Sequence, residues 1–220
     1  NFCDENKSFD SDGIQFIINP NDEFGLIRAI WFKEKMGATV DVLNVGLKNT
    51  EQTLRKALAI GADKAVRINT NPKCSKVVAK SIAKYLESNK YDLIIAGRES
   101  IDYNGGMVPG MVSALSSINF IDKCTSLDID NSNVKAVREI EGGVENISTS
   151  LPLIISSQKG IVEEKDLRIP NMRGIMMARK KELIVIEDYG FKISSETVKF
   201  EKPLTKNKVT LIPSDNVDKL

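Results

Sequence analysis

The 220-residue sequence contains no histidine, and this absence excludes several kinds of chemistry. A Ser-His-Asp triad and a Cys-His pair both need an imidazole, and most zinc sites include one. The motifs G-x-x-x-x-G-K-[ST] and G-x-G-x-x-G are absent as well. If the protein takes part in a reaction, we therefore expect a bound cofactor to supply the chemistry. A role in binding alone stays open.

Cysteine, unbalanced charge and long apolar runs are also scarce. The three cysteines, Cys3, Cys74 and Cys124, form no metal-type cluster, and their odd number argues against a disulfide framework. The formal net charge is +1, which does not favour binding to nucleic acid or to acidic membranes. No apolar run approaches the roughly 18 residues of a membrane span, so we expect no membrane insertion. These features together predict a protein of a reducing compartment, the bacterial cytoplasm.

What the sequence does contain is a regular alternation of strand-like and helix-like segments. This spacing is typical of a parallel sheet wrapped by helices. Asn19-Pro20 favours a helix start, because Asn is a common N-cap and Pro suits the first helical position. Further helices are predicted from Thr50, Ser75 and about Met107, and strands at residues 39–45, 64–69 and 92–96. The predicted fold class is α/β, a mostly parallel Rossmann-like sheet with helices on both faces, as in adenine-nucleotide-binding proteins.

The two ends and the later part of the chain depart from this alternation. Residues 1–18 are predicted to form a hairpin that pairs Phe9 with residues 14–18 through a turn at Ser11-Asp12-Gly13. Antiparallel hairpins are predicted at residues 126–129, 134–140 and 146–150, and further core strands at residues 151–156 and 182–186. We divide the chain into a nucleotide-binding domain, residues 1–189, and an extended C-terminal arm, residues 190–220, that packs on a partner.

Both ends of the sequence suggest a longer native protein. No apolar strand precedes the first hairpin, although a sheet of this kind normally begins with a central strand. Residues 214–220 resemble a capped helix start of about one turn, and a lone turn is unstable. We therefore expect a missing first strand and a longer C-terminus.

One glycine-rich segment, Gly97–Val108, directly follows a predicted strand. In parallel α/β sheets, ligands bind at the carboxyl ends of the strands, where Asn19–Asp22 and Asn44–Gly46 should also lie. Gly105-Gly106 allows the backbone to approach an anion, and the following helix offers unpaired N–H groups. The segment therefore suits a phosphate cradle. A plain connection between strand and helix remains the alternative, because short glycine motifs often match by accident.

Three more segments have two interpretations each. Residues 159–165 carry two aliphatic side chains among charges, Ile161 and Val162, and form either a solvated loop or an exposed docking point. Three methionines are either core filler or an adaptable contact surface: Met172, Met176 and Met177. Residues 179–181, Arg-Lys-Lys, are a solvated face or a weak indication of phosphate binding.

Taken together, these segments resemble the beta subunit of electron-transfer flavoproteins. Asn19-Pro20 before an acidic helix resembles that family's N-P-[FYW]-[CD]-E motif. Residues 50–63, TEQTLRKALAIGAD, are similar to the family's specific [QT]-E-x-[TI]-[IL]-R-x-A-L-A-x-G-A-D. Further matches are AGRESID at residues 96–102, REIEGGVE at 138–145, IPN at 169–171 and ARKK at 178–181. The resemblance covers about residues 14–189.

The resemblance implies a heterodimer in which an alpha subunit carries most of the contacts to an electron-relaying FAD. The beta subunit holds a structural AMP, and in members that bifurcate electrons a second FAD takes that place. The implied nucleotide contacts are Asn19, Pro20, Asn21, Asp22, Val45, Gly97, Arg98, Glu99, Ser100, Ile101, Asp102, Tyr103, Asn104, Gly105, Gly106, Met107 and Val108. AMP-binding members carry a polar N-Q-T-G-Q where this chain has GMVPG at residues 106–110, so only backbone N–H groups remain to hold the phosphate.

The same resemblance places four residues at partner surfaces. Glu139 is expected to face the mobile flavin domain of the alpha subunit, and Ile161, with Glu163 and Lys165, to anchor a loop that grips dehydrogenases. The implied function is a relay of electrons through FAD from acyl-CoA-type dehydrogenases, as in fatty acid oxidation, towards a quinone-linked oxidoreductase. Such a subunit is a carrier and has no catalytic residue of its own. A bifurcating subunit with FAD in beta, and a stand-alone adenine-nucleotide-binding module, stay open.

Overall fold

The computed structural model describes Phe2, Cys3, Glu5 and residues 7–204. The chain forms two compact units, one of residues 1–14 with 197–220 and one of residues 15–196. The helix start expected at Ser214 lies outside the described residues. The division into residues 1–189 and 190–220 stays a prediction.

The small unit contains a short antiparallel pair, β1 (Phe2–Cys3) with β2 (Ser8–Phe9). The rings of Phe2 and Phe9 lie 5.4 Å apart, and Phe200 packs 4.4 Å from Phe9. The predicted pairing of Phe9 with residues 14–18 is wrong, because those residues form no strand and Phe9 pairs back onto Phe2. A turn does form at Ser11, whose carbonyl accepts from the Ile14 N–H, but no hairpin follows it.

The large unit alternates helices with strands up to residue 116, as the sequence predicts, and four successive strands follow. Its helices are α1 (Pro20–Met36), α2 (Glu51–Ile60), α3 (Ser75–Ser88), α4 (Val108–Ser116) and α5 (Met172–Lys180). Its strands are β3 (Asp41–Val45), β4 (Lys64–Asn69), β5 (Leu93–Gly97), β6 (Asn119–Asp130), β7 (Asn133–Ile140), β8 (Gly143–Ser150), β9 (Leu153–Ser157) and β10 (Leu183–Glu187). Between β10 and residue 204 there is no helix or strand, as expected of an extended arm.

The strands of the large unit pair in two sheets. β10, β4 and β3 form an all-parallel sheet in that order. In the second sheet, β5, β9 and β6 are parallel, and β7 and β8 extend it antiparallel. The predicted α/β class with antiparallel strands is confirmed. β6 is much longer than predicted, since its first half pairs with β9 and its second half with β7.

Helices cover both faces of this arrangement, and β9 shows this most clearly. Leu153 and Ile155 belong to a core shared with Ile27 of α1, whereas Ile154 belongs to a second core shared with Ala79 of α3. Successive side chains of a strand point to opposite faces, so one buried strand serves both cores. This explains why residues 153–155 are apolar without alternation.

The sequence did not predict helix α5. Its N-cap is Asn171, whose Oδ1 accepts the Gly174 N–H at 2.8 Å. At the C-terminal end of α5, the carbonyls of Ala178 and Lys181 each accept a hydrogen bond from Arg55 of α2 at 2.7 Å. Met172, Met176 and Met177 are 52–74% exposed, so the core-filler interpretation is wrong and the contact-surface interpretation stands as a prediction.

Candidate functional site

The candidate site lies at the carboxyl ends of the parallel strands. β5 and β9 end side by side, with Gly97 opposite Ser157. Helix α1 begins at the same place: the Gly97 N–H donates to Oδ1 of Asp22, in the first turn of the helix, at 2.5 Å. A Cβ on Gly105 would lie 3.9 Å from Oγ of Ser75, the first residue of α3. The segment after β5 therefore passes between the N-termini of α1 and α3 before it starts α4.

Asn19 fixes this segment instead of capping its own helix. Its amide nitrogen donates to Oδ2 of Asp22 at 2.8 Å and to the Glu99 carbonyl at 2.9 Å. Its amide oxygen accepts the Ile101 N–H at 3.2 Å. The side chain makes no cap hydrogen bond, although it stands at the predicted N-cap position. Because an amide both donates and accepts, Asn19 can hold a donor and an acceptor of the loop together.

Asn21 and Ser157 complete the connection between helix α1 and the loop. Asn21 Nδ2 donates to the same Glu99 carbonyl at 3.1 Å. The Ser157 hydroxyl donates to the Asn21 carbonyl at 2.7 Å. The structure therefore brings Asn19, Asn21 and Asp22 together with Gly97, Glu99 and Ile101, and their contact with a nucleotide stays a prediction. Pro20 is exposed at the start of the helix.

Gly97 is required where it stands. A Cβ there would lie 2.7 Å from Oδ2 of Asp22 and 2.8 Å from Nδ2 of Asn19, closer than real Cβ atoms come. A glycine at this position lets the helix start approach the strand end.

Asp22 has an unusual environment. Crowding by protein atoms raises the pKa of its carboxyl, while hydrogen bonds from Asn19 and the Gly97 N–H act in the opposite direction. The residue is nevertheless exposed to solvent, so it is not sealed in the core. A carboxylate has about four acceptor positions, so Asp22 can still accept a hydroxyl from a ligand.

The loop itself is open to solvent. Residues 101–107 are exposed, and the turn is held by the Asn104 N–H, which donates to the Ser100 carbonyl at 2.8 Å. Asn104 and Gly106 have positive φ values of 48° and 58°. A Cβ on Gly106 would meet nothing closer than the Arg98 carbonyl at 3.7 Å. The space beside the two glycines is therefore open, and the binding of a phosphate by the backbone N–H groups there stays a prediction.

Apolar side chains project from the same loop. Ile101, Tyr103 and Met107 are 50–68% exposed, although apolar residues of this size are normally buried. Asp102 is exposed beside them, and Val108 is partly buried where helix α4 begins. The loop thus combines a free backbone with apolar surface, a combination that suits a nucleotide with a planar ring.

Val45 stands apart from the other predicted contacts. It is 8% exposed and belongs to the second hydrophobic core, where Val66 and Ile68 of β4 are its companions. Gly46, the next residue, is tightly placed, because a Cβ there would lie 2.5 Å from Oδ1 of Asn44. The Gly46 backbone is also buried, with its N–H bonded to the Ile68 carbonyl and its carbonyl bonded to Arg67, so a ligand contact at Val45 stays a prediction.

Arg67 is a residue at this edge that the sequence did not single out. Its side chain is buried, and Nη1 donates to the Gly46 carbonyl at 2.9 Å and to Oδ1 of Asn69 at 2.7 Å. Nε reaches Oε1 of Glu51 at 3.2 Å. A buried guanidinium needs such partners. The only signal in the sequence is an arginine inside an otherwise apolar strand, which usually marks a structural ion pair.

Glu139 lies at the end of a chain of polar contacts that the sequence also did not reveal. Gln158 Nε2 donates to Oε2 of Glu139 at 2.5 Å, and Gln158 Oε1 accepts from Nη1 of Arg98 at 3.0 Å. Arg98 forms an ion pair with Glu99. The residue predicted to face a partner is therefore connected, through one amide, to the beginning of the segment Gly97–Val108.

The loop at residues 159–165 differs from the prediction. Ile161 and Val162 are only 4% and 3% exposed and pack in the first core, so the expectation of two exposed aliphatics is wrong. Glu163 and Lys165 are exposed, as a partner surface requires. A loop anchored by its own aliphatic side chains leaves its charged residues outside. The exposed aliphatic nearby is Ile169, at 93%.

A parallel α/β sheet with helix N-termini around a glycine-containing strand end defines a class of ligand-binding fold. Comparison with known proteins makes the assignment more specific. Residues 7–189 match the family described as Electron transfer flavoprotein domain. The electron transfer flavoprotein subunit beta of Bacillus subtilis (strain 168) is 38% identical over 187 residues, which cover 83% of this chain and 72% of that one.

Two further relatives support the same family assignment. The electron transfer flavoprotein subunit beta of Dictyostelium discoideum is 32% identical over 174 residues, covering 78% of this chain and 68% of its own. Protein FixA of Azotobacter vinelandii is 31% identical over 183 residues, 79% of this chain and 64% of its own. The chain therefore belongs to the electron transfer flavoprotein family, among its beta subunits. Among the residues that the structure describes, no helix is long and apolar enough to cross a membrane.

Proposed function

We propose that this chain pairs with an alpha subunit and binds an adenine nucleotide at the strand ends between Asn19–Asp22 and Gly97–Val108. The observation that carries the proposal is the bonded frame of Asn19, Asp22 and Gly97, which holds the loop while Gly105 and Gly106 stay open. The nucleotide would be a structural ligand, AMP. Asp22 is suited to a ribose hydroxyl, and the backbone at Gly105 and Gly106 to the phosphate.

The proposed physiological function is electron relay. FAD, held mainly by the alpha subunit, would supply the redox chemistry when bound. This chain's part is to bind the nucleotide, to present Glu139 to the flavin-bearing partner and to offer Glu163 and Lys165 to acyl-CoA-type dehydrogenases. A quinone-linked oxidoreductase would take the electrons onward. The chain would act as a carrier subunit and not as an enzyme, in a reducing bacterial cytoplasm, with free thiols at Cys3, Cys74 and Cys124.

A second candidate is a bifurcating subunit with FAD in place of AMP. The exposed apolar side chains of Ile101, Tyr103 and Met107 favour it, because they could cover a ring larger than adenine. The loss of polar side chains at residues 106–110 removes donors that a phosphate of AMP would use, so it weakens the case for AMP without favouring FAD, whose diphosphate needs donors as well.

The test is a count of nucleotides in the full-length protein purified with its alpha partner. The complex is denatured, and the released AMP and FAD are measured by chromatography. One FAD and one AMP per heterodimer support the carrier, and two FAD without AMP support the bifurcating subunit. One FAD without AMP would mean that the glycine loop is only a connection. A chain that binds a nucleotide but no alpha subunit would support the stand-alone module.

A substitution locates the nucleotide. Gly106→Val should lower nucleotide occupancy, because its side chain would fill the space that the phosphate needs. Gly37→Val is the matched control, since Gly37 also has positive φ, 72°, but ends helix α1 with nothing within 4 Å of its Cβ position. Both variants suffer similar backbone strain. Equal occupancy in the two variants would place the nucleotide elsewhere.

A further inference from the structure

We propose that Gln158 is a positioning residue that holds Glu139 in place and ties it to Arg98 at the start of the nucleotide loop. The inference rests on the proposed function, because it concerns how this chain presents Glu139 to the flavin-bearing partner. Gln158 is 6% exposed, whereas Glu139 is exposed. A buried side chain with a fixed position thus orients an exposed one.

The chemistry of the three groups fits a glutamine at this position. A guanidinium only donates hydrogen bonds and a carboxylate only accepts them. A side chain that bridges the two must accept on one side and donate on the other, as the Gln158 amide does at 3.0 Å and 2.5 Å. The neighbours also fix which amide atom is oxygen and which is nitrogen.

The main chain makes this arrangement rigid. The Arg98 N–H donates to the Ser157 carbonyl at 2.9 Å, so Arg98 and Gln158 follow two paired strands, β5 and β9. Glu99, the ion-pair partner of Arg98, offers its carbonyl to Asn19 and Asn21. The contacts therefore run without a break from the start of α1 to Glu139.

The first variant is Gln158→Met, which keeps the volume and removes both hydrogen bonds. The heterodimer is mixed with an acyl-CoA dehydrogenase that its substrate has reduced, and electron uptake is followed as loss of flavin absorbance. We expect uptake to slow by about tenfold, the typical effect of losing a hydrogen bond to a charged group. FAD and AMP contents should stay at wild-type level. Gln52→Met, at an exposed position of α2, is the matched control.

The second variant, Gln158→Glu, separates positioning from packing. When protonated, the new side chain can accept from Arg98 and donate to Glu139, as the amide does. When ionised, it keeps Arg98 but repels Glu139. The charged groups bonded around this position are Arg98, Glu99 and Glu139; Asp122 bonds instead to Ser156. Uptake should approach the wild-type rate at acid pH, where the new carboxyl is protonated, and fall by about tenfold towards pH 8, more steeply than in wild type.

The outcomes separate this inference from the proposed function. A wild-type complex that takes up no electrons contradicts the proposed function itself. A working wild type with Gln158→Met at the same rate overturns the inference. If Gln158→Met does not fold, Gln158→Glu decides: the pH-dependent loss supports positioning, and the same pH profile as wild type, at any rate, overturns it.

Discussion

At the scale of single residues, Ile161 shows how burial changes an expected role. The resemblance implies that Ile161 grips a partner, but in this chain it is 4% exposed and packs in the first core. We therefore expect Ile161→Asp to destabilise the fold by about 3–5 kcal/mol, since it buries a carboxylate without a partner and removes apolar packing. Urea unfolding followed by circular dichroism measures this change.

The control for that experiment is Ile169→Asp. Ile169 is 93% exposed in the same connection, so the charge stays in water and we expect a change within about 0.5 kcal/mol. If both variants unfold at the wild-type urea concentration, Ile161 is not part of the core, and its direct contact with a dehydrogenase becomes the better interpretation.

Gly97 allows a second prediction at this scale. Gly97→Ala would bring a Cβ to 2.7 Å from Oδ2 of Asp22, so the helix start must shift, and we expect a loss of about 1–3 kcal/mol in unfolding free energy. In Gly105→Ala the nearest atom is 3.9 Å from the Cβ, so stability should stay within about 0.5 kcal/mol. Equal thermal stability of the two variants would show that α1 does not approach β5 as closely as described.

At the scale of elements, α5 depends on its contact with α2. A Cβ on Gly174 would lie 2.5 Å from the Ala59 carbonyl oxygen. This oxygen belongs to the main chain, so it cannot rotate out of the contact as a side chain could. We expect Gly174→Ala to destabilise the large unit by about 1–3 kcal/mol. Differential scanning calorimetry on the purified variant measures the shift.

Gly110 of α4 provides the comparison. A Cβ there would make an ordinary contact of 3.6 Å with Phe120. Gly110→Ala should therefore stabilise by about 0.4–1 kcal/mol, because alanine lowers the entropy of the unfolded chain. A stabilising Gly174→Ala would mean that α5 does not pack on α2 through this glycine.

The same two elements show which parts of the fold the sequence could predict. α2 carries regularly spaced apolar residues and ends at Gly61, so its limits were predicted almost to the residue. α5 has methionines and charges in place of such spacing, and its N-cap Asn171 was not interpreted as a helix start. Its stability comes from long-range contacts, those of Arg55 and Gly174 with distant main chain. Local patterns cannot contain contacts of this kind.

The candidate site also has parts that the sequence predicts and parts that it does not. The segments at Asn19–Asp22 and Gly97–Val108 were predicted from strand ends and from family motifs, and the structure bonds them together. Arg67 and Gln158 were missed, because their importance depends on partners far along the chain, Gly46 for one and Arg98 for the other. A buried arginine or glutamine is informative only once its neighbours are known.

At the scale of the whole molecule, the described strands of the large unit divide between two sheets, and this division has a measurable consequence. β4 and β9 have paired strands on both sides, and their central residues are buried. β3 and β5 each stand at the end of a sheet, and most of their residues are only partly buried. A strand that is paired on one side keeps unpaired backbone groups on its open side.

Hydrogen exchange should therefore rank the strands. We expect the amides of β4 and β9 to exchange slowest, and those of β3 and β5 at least about tenfold faster, because opening a strand bonded on one side breaks fewer contacts. Exchange followed by mass spectrometry after digestion resolves the four segments. β10 is also an end strand, in the same sheet as β3, so its exchange rate serves as the internal reference for an end strand. If β3 and β5 were as protected as β4 and β9, a further element would have to pair with their open sides. The strand end at Gly97 would then have a neighbour that the described residues do not include.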